Sequence, residues 1–297
     1  MKDTKEKKPI APNECSTLRW IAVLLIGLLI GFVLNLPLSP YMENRTDTLL
    51  GIRYSEIFGV LSFVPLFIGM ALALRFLAKT SLKDFILGVG GSVHKKTCLT
   101  VLLLYVGGFA VPYLLTIANI RPRGVEAGQF AFLVFYMLLT AWIQTTWEEL
   151  LFRGLFIRWA CKNKVGYSKK ALIAAGISSV AFALSHVANP EVTSQSGFEV
   201  VLVVLAYVIP GFVCFLADLH FGNLLPGIII HWVNNFILFT LISSEVSAFP
   251  VPTLLIDSTP NHALWTLGST ALAYLPVLIF ILWDAHKRKK NASTDKA

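Results

Sequence analysis

Residues 18–36, LRWIAVLLIGLLIGFVLNL, decide what kind of fold this chain can adopt. Arg19 is the only charged side chain in the stretch. A helix of about 20 mostly apolar residues is what crosses a hydrocarbon layer ~30 Å thick. Seven further stretches of the same character run near 57–77, 99–118, 130–147, 171–186, 200–216, 224–242 and 265–283. The expected fold is therefore an all-α polytopic membrane protein with about eight transmembrane helices. An even number puts both termini on one side of the membrane.

Composition agrees. The chain has 297 residues, 56% hydrophobic and 14% charged, with a mean hydropathy of +0.69. Soluble domains carry about 25% charged residues, so an ordinary cytosolic enzyme is excluded. Disorder, collagen and a disulfide scaffold are excluded too, because there is no glycine period and only four cysteines occur in a long chain. Cys15, Cys98, Cys161 and Cys214 form no C-x-x-C, so each reads as a small packing residue. No A-x-A cleavage site follows the first stretch, which is taken as uncleaved.

The net charge of +8 has a topological reading. With the termini inside, 21 of the 25 lysines and arginines fall on the inner side, among them Arg153 and Arg158, leaving only Arg45, Arg53, Arg121 and Arg123 outside. This is a positive-inside signal for cytoplasmic N and C termini in a plasma membrane, with a bacterial source expected. The basic loops suit an anionic lipid surface; scattered as they are, they make no nucleic-acid face. Four segments follow: a basic cytoplasmic N-terminus (1–17), helices 1–3 (18–126), helices 4–7 (127–242), and an outer loop, helix 8 and basic tail (243–297). Residues 80–91 read as including a short interfacial helix. The 243–263 loop is the longest outer connection. No internal repeat is visible, which weakens a proton-coupled transporter reading.

Ionisable residues inside membrane helices are costly and are functional candidates by default. One group is Thr145-Thr-Trp-Glu148-Glu149-Leu-Leu-Phe-Arg153, at the end of the fourth helix. Adjacent carboxylates on a helix point about 100° apart and cannot play the same part. Glu149 and Arg153, at i and i+4, can pair, which leaves Glu148, on one stripe with Gln144 and Thr145, to face a cavity. The blander reading is an ordinary helix end with Glu and Arg at the water interface. Phe182 and His186, deep in the fifth helix, share a face, as do His231 and Asn235 in the seventh. A packed histidine or an interhelical hydrogen bond would explain either pair alone. Asp218 and His220 are assigned to a short inner turn and to capping. If the fourth helix runs on to Asn163, Glu148 lies about 22 Å above that end, and His186 about 25 Å above Lys169. Those levels agree. Because Arg158 and Lys162 cannot sit in hydrocarbon, the cluster is expected nearer the inner leaflet.

Taken in order on three membrane helices, Glu148-Glu149-x-x-x-Arg153, Phe182-x-x-x-His186 and His231-x-x-x-Asn235 resemble the CAAX protease and bacteriocin-processing (CPBP, or Abi) family, specifically its Rce1-like CAAX prenyl endopeptidases. Gly222-Asn-Leu-Leu-Pro-Gly-Ile-Ile-Ile-His231 is similar to that family's lead-in to its last motif, and the resemblance covers roughly residues 130–240. It implies an intramembrane endopeptidase with its catalytic core on helices 4, 5 and 7, acting on a peptide or membrane-protein substrate in the bilayer. On that resemblance Glu148 and His186 would activate a water, and His231 with Asn235 would stabilise the oxyanion. Glu149, Arg153 and Phe182 would support them. The metal-free form is preferred, as there is no H-E-x-x-H; the alternative with zinc would use Glu148, His186 and His231 as ligands. A non-catalytic bacteriocin-immunity or scaffolding protein of the same family is the alternative function. No G-x-S-x-G elbow or G-x-G-D motif is present, so serine and aspartyl intramembrane proteases find no support.

Overall fold

The computed structural model describes residues 16–88, 95–161, 167–260 and 262–294. The expectations placed on Lys2, Lys5, Lys7, Lys8, Cys15, Lys162, Asn163, Lys164, Lys296 and the side chain of Cys161 lie outside the described residues. The helices are α1 (Thr17–Asn35), α2 (Ser39–Glu43), α3 (Tyr54–Leu61), α4 (Phe63–Phe76), α5 (Leu82–Leu87), α6 (Lys95–Leu115) and α7 (Ala127–Glu149). They continue as α8 (Leu155–Cys161), α9 (Lys169–Leu184), α10 (Pro190–Thr193), α11 (Phe198–Phe221), α12 (Leu225–Thr240) and α13 (His262–Thr294).

Among the described residues six segments are long and apolar enough to cross a bilayer: Thr17–Glu43, Tyr54–Phe76, Lys95–Leu115, Ala127–Ala160, Phe198–Phe221 and His262–Asn291. Two more rods, α9 and α12, have 16 residues each and are shorter. The chain is thus an all-α multi-pass membrane protein, with six candidate spanning segments among the described residues and these two shorter rods beside them. Large apolar side chains face outward along the rods, including Leu29 and Phe32 on α1, Leu103 and Leu114 on α6, and Ile279 and Leu282 on α13. In water that surface would be untenable; against acyl chains it is the expected one.

Local sequence explains the helix starts. The hydroxyls of Ser16, Ser81 and Ser168 accept the N–H of Arg19, Asp84 and Ala171, each satisfying one of the donors a helix leaves open at its first turn. Small residues set the closest packing. A Cβ on Gly69 would lie 2.3 Å from the Gly27 carbonyl oxygen, so α1 and α4 touch backbone to backbone there.

The rods share two ends. At one, β3 (Ile120–Pro122), β4 (Ile242–Ser244) and β5 (Leu255–Asp257) form a sheet in the order β3–β5–β4, antiparallel then parallel. The expected 243–263 loop therefore contains strand structure. A hairpin of β1 (Thr48–Leu49) and β2 (Ile52–Arg53) lies between α2 and α3, and the Gln129 side chain donates to the carbonyl of Leu50. At the other end, α5 supplies the short helix expected within 80–91, although residues 89–91 lie outside the described set. One face of it docks on the protein, with Phe85 fully buried, its carbonyl accepting from Arg158 at 2.7 Å and the Ile86 carbonyl accepting from Leu224 at 2.8 Å, while Lys83 and Asp84 stay exposed.

Two charge assignments change. Arg153 and Arg158 are buried, so neither is a solvated inner-loop charge. Asp218 and His220 belong to the last turn of α11, not to a turn between helices. The capping expectation holds for Asp218, which accepts the Gly227 N–H at 2.9 Å in the first turn of α12, while His220 meets Asp284 at 2.8 Å.

Candidate active site

Five rods build the polar cluster. The central one is α12, which packs on α6, α7 and α11; α9 packs on α11. The α7 helix does not run straight into α8. Residues Leu150–Gly154 form one π-helical turn, in which the Leu155 N–H reaches the Leu150 carbonyl and the Ser178 hydroxyl of α9 donates to the carbonyl of Phe152. Wide turns of this kind recur at functional sites. This one begins directly after Glu149 and contains Arg153.

The two adjacent carboxylates separate as their spacing predicts. Glu149 is completely enclosed, with its Oε2 3.3 Å from Arg153 Nε and its Oε1 accepting His231 Nδ1–H at 2.7 Å. Arg153 is also completely enclosed, and its guanidinium lies 4.2 Å from the ring centre of Phe182. A buried charge needs a partner, and here each has one. Glu148 faces the cavity instead, accepting from Gln144 Nε2 at 3.2 Å and lying 3.4 Å from His231 Nε2. Thr145, expected on the same stripe, turns back to the Ala141 carbonyl.

His186 lies just past α9, which ends at Leu184, and not deep inside it. Its ring packs 4.5 Å from that of Phe182, so the shared face survives the helix end. Nδ1 is 2.7 Å from the Phe182 carbonyl, which can only accept, so Nδ1 carries the proton and Nε2 presents a lone pair. Tyr207 of α11 stacks on the His186 ring at 4.4 Å. Its hydroxyl donates to Glu191 and accepts from Asn189 at 3.0 Å.

Asn235 is oriented by a relay. Tyr105 of α6 donates to Asn234 Oδ1 at 2.7 Å, and Asn234 Nδ2 donates to Asn235 Oδ1 at 3.0 Å. Because its oxygen is engaged, Asn235 offers Nδ2 as its donor. Glu148, His186, His231 and Asn235 all line one cavity of about 890 Å³, while Glu149 and Arg153 sit behind its wall. Tyr207, Asn234 and Tyr105 were not recognisable from spacing, since each acts across helices far apart in sequence.

Among the described residues no three His, Cys, Asp or Glu groups are arranged to hold a metal, and His231 directs both ring nitrogens at carboxylates. Cys98 and Cys214 are free thiols.

Residues 130–237 match the family model of the type II CAAX prenyl endopeptidase Rce1-like proteins. All seven residues of the motif cluster lie inside the match. No curated protein and no solved structure matches the chain. The match covers about a third of the chain and likens this segment to a family of membrane peptide hydrolases.

Proposed function

We propose that this chain is an active endopeptidase that hydrolyses a peptide bond of a membrane-associated substrate with a water activated by Glu148 and His186. The observation that carries the reading is the division between neighbouring carboxylates: Glu149 is locked between Arg153 and His231, whereas Glu148 is left at the cavity wall. A purely binding protein has no use for that expense in a membrane.

In this mechanism His186 Nε2 accepts one proton of the water in a hydrogen bond, and Glu148 takes the other as the water oxygen bonds to the carbonyl carbon. The carbonyl oxygen becomes an oxyanion that receives hydrogen bonds from Asn235 Nδ2 and from Nε2–H of a protonated His231 held by Glu149. Glu148 then passes its proton to the amide nitrogen as the C–N bond breaks, and returns to a carboxylate. No step calls for a metal or cofactor. The low-dielectric surroundings strengthen each of these interactions.

The test compares membrane peptides from cells producing the parent protein with those from cells producing Glu148→Ala or His186→Ala, each checked for an unchanged melting temperature in detergent. Peptides generated by the parent should disappear in both variants. Identical peptide sets would overturn the proposal and leave a scaffolding or immunity protein.

A further inference from the structure

We propose that the cavity opens to the non-cytoplasmic side of the membrane, so that the substrate is a peptide segment exposed on that side, next to its own membrane anchor. The substrate class rests on the endopeptidase reading above; the sidedness does not.

The cavity is built from one end of the molecule. Its mouth is formed by Arg45 before the β1–β2 hairpin, Glu56 on α3, Asn189 after α9, Ala248 after β4 and His262 at the start of α13. These segments are tied together. Arg123, beyond β3, donates to the Val251 carbonyl at 2.7 Å, Tyr113 of α6 meets Trp265 of α13 edge to face, and Val192 packs with Ala263. From there the cavity descends to Glu148, His231 and Tyr274. Among the described residues none of its walls comes from α5, α8 or the connection between α11 and α12. Below it the described residues pack tightly: a Cβ on Gly154 of the π turn would lie 2.5 Å from the Phe85 ring, and Arg158 lies across the same ring.

Charge divides along the same axis. At the mouth end, segments 36–62, 116–130, 185–199 and 241–262 hold eight Asp and Glu against four Arg and no Lys. At the closed end, leaving out the buried Arg158, the described parts of segments 75–98, 155–170 and 218–224 and of 284–291 hold eleven Lys and Arg against three Asp. The closed end also carries the start of α1 and the finish of α13. The surplus of lysine and arginine in short loops near helix ends is what retains an end in the cytoplasm. The mouth then faces outward.

The experiment reads access directly. The full chain carrying Ala248→Cys or Lys83→Cys is treated with a membrane-impermeant maleimide in intact cells and again after permeabilisation, and labelling is counted above that of the parent protein. Both positions are solvent-exposed, one at the mouth and one at the closed end. Ala248→Cys should label equally in both conditions and Lys83→Cys only after permeabilisation. The reverse pattern, or equal labelling of both in intact cells, overturns the inference. A fluorescent protein fused after residue 297, which folds only in the cytoplasm, gives an independent reading without any substitution: fluorescence supports the proposed sidedness, and its absence alongside activity of an equivalent phosphatase fusion overturns it. Labelling does not depend on catalysis. An outward mouth on a protein that cleaves nothing would retain the sidedness and remove the endopeptidase reading, whereas an active protein labelled only from inside would do the opposite.

Discussion

Glu148 and Glu149 are adjacent, yet the same substitution in each should read out on different instruments. Glu149→Gln or Arg153→Met leaves the other member of the pair charged and completely buried. Breaking a buried pair in this way costs about 3–5 kcal/mol, so both variants should melt far below the parent in detergent. Glu148→Gln keeps its hydrogen-bonding shape at the cavity wall and should melt like the parent while losing cleavage. Equal melting of all three would mean that the enclosed pair supports nothing. Asn235→Ala removes one of the two oxyanion donors on α12 and should lower kcat by roughly 10²–10³ with the fold intact. Tyr105→Phe, which only frees Asn234 to rotate, should cost less, and a loss as large as that of Asn235→Ala would place Tyr105 itself at the chemistry. The Glu149–Arg153 pairing was readable from an i, i+4 spacing, because helical neighbours are fixed by geometry alone. The stacking of Tyr207 on His186 was not, since it joins α11 to a turn beyond α9 and depends on how helices pack.

At the scale of elements, the sequence was readable where one physical signal dominated. Long apolar runs located the rods, and the three motifs fell on α7, on the end of α9 and on α12. The π turn carried no such signal: Leu150-Leu-Phe-Arg-Gly154 is as helical in propensity as its flanks. What widens the helix is tertiary contact, with Ser178 taking the Phe152 carbonyl and Phe85 pressed on Gly154. The end of α9 was missed for a related reason. Ser185-His-Val-Ala-Asn189 contains no glycine stop, and the break shows only in how Asn189 and Pro190 begin α10. Packing between rods makes a sharper prediction on α6. A Cβ on Gly108 would lie 2.6 Å from the Ala273 carbonyl oxygen of α13, whereas one on Gly107 would have nothing within 4 Å. Gly108→Ala should therefore lose about 1–3 kcal/mol as α6 and α13 are forced apart. Gly107→Ala, one residue away, should melt no lower than the parent. A similar loss in both would show that helix flexibility, not the contact, sets the effect.

For the whole molecule, hydropathy gave the class of fold but overstated its regularity, because a count of apolar residues cannot distinguish a full span from a short rod held by its neighbours. The α9 and α12 rods, at 16 residues, are each about 24 Å long, less than the ~30 Å of a typical hydrocarbon core. The α12 rod is enclosed by α6, α7 and α11, so its length costs little. The α9 rod is different: Leu172, Ile173, Ile177, Val180 and Leu184 are exposed along it, so it faces lipid, with Lys169 and Lys170 at one end and His186 just beyond the other. A bilayer that covers a rod this short must thin beside it, at a cost of a fraction of a kcal/mol per Å of mismatch. That thinning would bring aqueous surface close to His186 and Glu148, which need water and a substrate backbone at the same point. In proteoliposomes of fixed headgroup and increasing acyl length, cleavage should therefore fall steadily from short-chain to long-chain lipids while the melting temperature changes little. A rate indifferent to chain length would mean that the site is supplied entirely through its mouth and that the shortness of α9 has no part in catalysis.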